Sequence, residues 1–227
     1  MLRSVRGLGM GNAFTAISDD HSAFFYNPAG VTKRKRFTMT LAEIRGTIST
    51  DMIDFASWFS DNQDDLKNFE DLSESKKIEL LRKISNEITD YNNHLSISAP
   101  NFNFIAPLGK LYFGLGVFDD INVKVKMNSG LITPNIDLNV KVDLAGMFLM
   151  AYKFSDRFSA GFNAKILARG GIEQNRMSIL EFENYEPVIQ PGIGIGADIG
   201  ATYKISNPFS LGFSATDVGG TKIKYEK

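Results

Sequence analysis

From residue 94 to the end of the chain, apolar and non-apolar positions alternate with a period of two. Leu111, Phe113, Leu115 and Val117 alternate with Tyr112, Gly114 and Gly116. Ile136, Leu138, Val140, Val142 and Leu144 alternate with Asp137, Asn139, Lys141 and Asp143, and the same parity continues through Phe148, Met150, Tyr152 and Phe154. Ser155-Asp156-Arg157 then predicts a tight turn, and Phe158, Ala160, Phe162, Ala164 and Ile166 resume against Gly161, Asn163, Lys165 and Arg169. A further run takes Ile193, Ile195, Ala197, Ile199, Ala201, Tyr203 and Ile205 to the turn Asn207-Pro208, after which Phe209, Leu211, Phe213 and Ala215 follow. Alternation of this kind marks strands with one apolar face. Several runs reach about 10–15 residues, against about 5–6 in ordinary globular strands. That length suits a tilted strand of about 9–11 residues crossing a bilayer. The opposite parity carries Gly, Ser, Thr, Asn, Asp and Lys, as a polar barrel interior does. Its glycines suit tight curvature or close packing against an internal plug. Tyr152, Phe154, Phe158, Tyr203 and Phe209 lie beside turns, where either an interfacial girdle or hairpin-end packing would place them. The fold class expected is all-β: an antiparallel transmembrane-type β-barrel or part of one, with an N-terminal plug-like segment and a helical insertion.

Two regions break the pattern. Residues 1–35 are Gly-rich, contain the turn-forming Asn27-Pro28-Ala29-Gly30, and lead into the basic run Lys33-Arg34-Lys35-Arg36, so they read as a compact irregular segment. One strand is expected over 37–48. Residues 51–93 are rich in Asp, Glu, Lys and Leu and carry the sole Trp, and there the period shifts to about 3.6. Ile78, Leu81, Ile84 and Ile88 share a helical face, with a start expected at Asp71-Leu72-Ser73-Glu74. A second, shorter helix over 53–59 would cluster Ile53, Phe55, Trp58 and Phe59. The insertion reads as a helical hairpin packed on its own apolar faces, or as a lid or partner-docking arm. The division expected is thus a hatch-like segment at 1–35 and barrel strands over 36–227, interrupted by the helical insertion at 51–93.

Composition narrows the chemistry. A net charge of -1 over 227 residues excludes a polycationic nucleic-acid binder, and no nucleic-acid partner is expected. A transmembrane helix needs roughly 18 or more apolar residues, and the uncharged stretch 144–152 is well short of that. A closed barrel can still span, since only alternate residues need be apolar. With no Cys, thiol nucleophiles and zinc-cysteine sites are excluded. Met1–Met10 lacks the apolar core of a signal peptide, so export requires a leader outside these residues.

Gly7-Leu8-Gly9-Met10-Gly11-Asn12-Ala13-Phe14, then Ser18-Asp19-Asp20, then Phe24-Phe25-Tyr26-Asn27-Pro28-Ala29-Gly30 resembles the N-terminal signature of the FadL-like outer-membrane superfamily. That grouping holds long-chain fatty-acid transporters, PorV-like proteins of secretion systems and TraF-like conjugation proteins. The segment 158–165 resembles its Gly-then-Lys hairpins, and 213–225, with Asp217-Val218-Gly219-Gly220, its strand-end turn. The resemblance implies a bacterial outer-membrane barrel, a hatch formed by the N-terminal segment, and passage or binding of a hydrophobic small molecule. It implies a ligand path beside Phe24, Phe25, Tyr26, Asn27, Pro28 and Ala29. The insertion is closer to the TraF-like members, which implies the alternative of a membrane-anchored component of a secretion or conjugation apparatus. Membrane lipid is the expected partner throughout.

No enzyme is expected. His21 and His94 are isolated, and no His pair has metal-ligand spacing. Gly192-Ile193-Gly194-Ile195-Gly196 alternates along a strand with no helix after it, unlike a dinucleotide loop, so no cofactor is expected. Asp61, Asp64 and Asp65 lack the Gly and terminal Glu of a calcium loop.

Overall fold

The computed structural model describes residues 5–88, 93–99, 101–128, 134–178, 186, 188–189 and 191–225. The expected hatch and insertion therefore lie within the described residues except at 1–4 and 89–92. A short helix α1 (Val5–Gly9) leads through turns to two 3-10 segments, His21–Phe24 and Pro28–Lys33. The strands are β1 (Thr38–Thr40), β2 (Arg45–Ile48), β3 (Asn93–Ser98), β4 (Phe102–Leu108), β5 (Leu111–Asn128), β6 (Asn135–Lys153), β7 (Phe158–Ser178), β8 (Gly192–Lys204), β9 (Ser210–Ala215) and β10 (Lys222–Tyr225).

All ten join one antiparallel sheet. Three strand paths are broken in two. β3 and β4 lie end to end along β5, β1 and β2 lie end to end along β4 and β3, and β9 and β10 lie end to end along β8. The ten strands therefore trace seven antiparallel paths, each beside its chain neighbour, as an up-and-down meander. The single strand expected over 37–48 is one such broken path. The antiparallel, β-rich class expected from the alternation is what forms. The closed barrel is not: among the described residues the first path, β1–β2, does not pair with the last, β9–β10, and the sheet is open.

The two sheet faces differ in what covers them. One bears the segment 14–34, which touches strands from β4 to β9 and buries Phe24, Val31, Ile105, Phe118 and Leu149 in a shared core. The other stays bare over much of its height. Its positions are Leu111 to Val117 on β5, Leu144 to Tyr152 on β6, Phe158 to Ala168 on β7, Ile193 to Tyr203 on β8 and Leu211 to Ala215 on β9, taken alternately, and none is charged. Leu144 is 50% exposed, Ile166 59%, Ile195 73% and Phe213 62%. A strand path such as Ile193 to Tyr203 spans roughly 34 Å at about 3.4 Å per residue. Tilted by about 45°, it rises about 24 Å, close to the apolar band of about 25 Å on an outer-membrane barrel.

Above this band the same face is covered by the insertion. It forms α2 (Thr50–Lys67) and α3 (Glu74–Lys83), the latter running into a π turn at Ile84–Ile88. Ser49 caps α2, its Oγ accepting from the Met52 amide at 3.2 Å. α2 is thus far longer than the expected 53–59 helix, because Ser49 starts it early and its polar residues continue it to Lys67. Phe55, Leu66, Phe69, Leu80 and Ile84 close over Met127 and Ile136 at the tips of β5 and β6. The hairpin therefore packs on the sheet as well as on itself. The stripe drawn through Ile78 is displaced: Ile78 is 65% exposed, and Leu80 takes the buried position. The side chain of Ile88 lies outside the described residues.

Candidate functional site

The site is the seat of segment 14–34 on the sheet. Asp20 caps the first 3-10 turn, accepting from the Ser22 amide at 2.9 Å and from Ser22 Oγ, and Arg6 donates to both Asp19 and Asp20. Burial opposes the Asp20 charge, but the Ser22 hydroxyl and amide, Arg6 and the nearby His21 outweigh it and hold the carboxyl below its ordinary value. A carboxylate depressed on folding stabilises fully above its unfolded pKa of about 3.9 and loses that contribution as pH falls through the folded value. A nitroxide at Ile17 should therefore gain mobility below about pH 4 and keep its spectrum from about pH 5 to pH 8.

Asn27 caps the second turn and is fully buried. Its Oδ1 accepts from the Ala29 amide at 3.0 Å, and its Nδ2 donates to Thr15 O at 2.9 Å and to Ala201 O on β8 at 3.0 Å. Asn163 on β7 donates to Phe24 O at 2.8 Å, and Thr32 Oγ1 meets Ser159 Oγ at 2.9 Å. The sheet has room for this because glycines stand beneath the segment. A Cβ at Gly200 would fall 2.0 Å from Asn27 Oδ1, and one at Gly161 would fall 3.0 Å from the Ala29 amide.

The six residues singled out from the sequence divide by exposure. Phe24, Asn27, Pro28 and Ala29 are buried between segment and sheet, where Phe24 sits 5.3 Å from the Phe118 ring. Tyr26 packs edge-on to Phe14 and donates to Asn12 Oδ1 at 3.1 Å. Phe25 is half-buried, 4.6 Å from Phe118, with the Arg45 guanidinium 5.7 Å from its ring centre. Arg45 approaches Glu43 at 3.5 Å, and Glu43 approaches His21 at 3.1 Å. An amphipathic carboxylate could lay its chain on Phe25 and its head toward Arg45.

Beyond the segment, the same face turns polar. Ser96 and Asn122 donate to Asp120 at 3.0 and 2.7 Å, and His94 Nε2 lies 3.2 Å from Asn122 Oδ1. Arg169 grips Asp143 with two bonds of 2.6 and 2.8 Å. Lys165 bridges Asp198 at 2.8 Å and Asp217 at 2.6 Å, and the Asp217 amide donates to Asp198. This clamp fixes the break between β9 and β10, where Gly219 and Gly220 take φ of +86° and +76°. Replacing Lys165 by Met should free that break, measured as faster amide exchange at Val218, whose amide donates to Ala197 O.

His94 Nε2 lies against Asn122 and His21 Nε2 against Glu43, and among the described residues no group of three or more His, Asp or Glu could hold a metal. No described helix is long and apolar enough to cross a membrane. Asn163, Ser159 and Gly200 were not singled out from the sequence. The only signal for them is their parity, since they stand on the small, polar side of their strands. The sequence model of a family of unknown function (DUF5723) matches residues 109–227, which takes in β5 to β10 and stops short of the segment and the insertion. Neither the curated proteins nor the solved structures yield a match.

Proposed function

From the premise that the chain belongs to the DUF5723 family, we propose that it forms wall and plug of a bacterial outer-membrane β-barrel of the FadL-like type, which passes or binds hydrophobic small molecules such as long-chain fatty acids. One observation carries this reading: an uncharged, exposed apolar band of membrane height lies directly opposite a face occupied by the chain's own N-terminal segment. A water-soluble sheet would hide that band, whereas a lipid bilayer solvates it. The barrel closes when strands beyond these ten pair with β1 and with the β9–β10 edge. Segment 14–34 is then the plug, and Phe25 with Arg45 is the ligand's landing place. The protein should remain in the outer-membrane pellet after carbonate washing. Radiolabelled oleate should bind it, and Phe25→Ala should weaken that binding about tenfold or more, a loss of about 1.4 kcal/mol. Recovery as a soluble monomer without detergent would refute the membrane reading, and unchanged oleate binding would refute the ligand site.

A second reading, a membrane-anchored component of a secretion or conjugation apparatus, is favoured by the helical arm, which leaves Ile53 50% and Ile78 65% exposed. Deleting 50–88 should abolish co-purification of apparatus proteins while the strands still fold. An intact complex would remove this reading.

A further inference from the structure

A trough of about 1170 Å³ runs along the bare face of β6, β7 and β8, under Ile189 and beside β10. It exceeds the roughly 300–1,000 Å³ of small-molecule pockets. Its floor is low because Ala168 and Gly170 stand where neighbouring rows carry larger side chains, and a Cβ at Gly170 would meet Ile189 at 3.4 Å. Its walls include Leu144, Ile193 and Ile195.

One edge is charged. Lys222 pairs with Ile195 and Lys224 with Ile193, so both lysines share the face of those isoleucines. Their rows stand at the upper limit of the band. Ile193 faces Ala168, Ala168 faces Leu144, and Leu144 faces Asp119, the first charged residue on that face of β5 above Val117. Two cations on a lipid-side face, at the height where acyl chains give way to head groups, with an apolar trough beside them, match an anionic lipid in both halves.

We infer that this trough holds one anionic glycerophospholipid of the surrounding membrane, its phosphate against Lys222 and Lys224 and an acyl chain along Ile193, Ile195 and Leu144. The inference rests on the membrane reading above and goes beyond it, because a bare band alone solvates any lipid without preference.

The test uses the full chain in phosphatidylcholine vesicles, with Trp58→Phe removing the native fluorophore and either Ile195→Trp at the trough or Phe148→Trp in mid-band as reporter. Brominated phosphatidylglycerol and brominated phosphatidylcholine are added separately at low mole fraction. At Ile195→Trp the phosphatidylglycerol should quench preferentially, with a preference of about fivefold per lysine that Lys222→Gln and Lys224→Gln each reduce. At Phe148→Trp the two lipids should quench alike. Equal quenching at both reporters, unaffected by the lysine changes, overturns the lipid site and leaves the barrel standing. No quenching at either reporter overturns the membrane reading and the site together. Should Ile195→Trp disturb the trough, the phosphatidylglycerol that co-purifies with the otherwise unaltered chain gives an independent measure. It should fall by most of its value in Lys222→Gln/Lys224→Gln, and an unchanged amount refutes the site.

Discussion

Phe148→Arg should destabilise the protein in lipid vesicles by about 2–4 kcal/mol, the cost of a cation near the middle of a barrel's lipid face. Phe148 pairs with Leu115 and Ala164, halfway between the row of Leu144 and that of Tyr152, where the proposed barrel would surround an arginine with lipid. The contrast lies eight residues away along β6. Val140 has the same parity, but it stands above the row of Leu144 where the band ends, so Val140→Arg should cost only about 0–1 kcal/mol. Asn139→Arg places its charge on the polar face and should cost little. Refolding titrations in urea, monitored by heat-modifiable gel mobility, give all three values. Equal costs at Phe148 and Asn139 would rule out the lipid-facing assignment.

The second large effect is expected at the plug. Asn27→Ala removes a fully buried side chain and takes the partner from the buried Ala29 amide and from the part-buried Thr15 carbonyl. Each such group costs about 1–3 kcal/mol, so the segment should lose about 2–4 kcal/mol of attachment. Gly200→Val should act on the same contact from the sheet side, since even a Cβ would fall 2.0 Å from Asn27 Oδ1. Both variants should admit trypsin at Lys33 and Arg34 and raise ion conductance in planar bilayers, while the band and its lipid contacts persist. Loss of sheet structure in both would mean that the segment is a folding core and not a removable plug.

The period-two pattern made the strands and their apolar parity legible, because one residue in two lies on the same sheet face along β5 to β8. Burial under segment 14–34 was also foreshadowed, since glycines on one face leave space that something must fill. The break between β9 and β10 falls on the turn Asp217-Val218-Gly219-Gly220 marked in the sequence. Those between β1 and β2 and between β3 and β4 were not legible, because they depend on partners far away in sequence, such as Asn101, which accepts from the Asp119 amide and donates to Glu43 O. Pairing of the insertion with Met127 and Ile136 was likewise hidden, because those two residues obey the same alternation as the bare positions below them. The motif singled out six residues for a ligand path without separating the buried Phe24 and Asn27 from the half-exposed Phe25. That separation comes from contacts far away in sequence, with Phe118, Asn163 and Ala201.

Nitroxide scanning of β7 tests the central claim most directly, and the absence of Cys from the chain makes single-cysteine labelling free of background. Collision with oxygen, which concentrates in lipid, should exceed collision with a water-soluble nickel chelate at 158, 160, 162, 164 and 166. It should fall at 159, 161, 163 and 165, repeating with a period of two. Oxygen collision that shows no alternation, or nickel collision dominant at both parities, would contradict a lipid-facing band and with it the barrel.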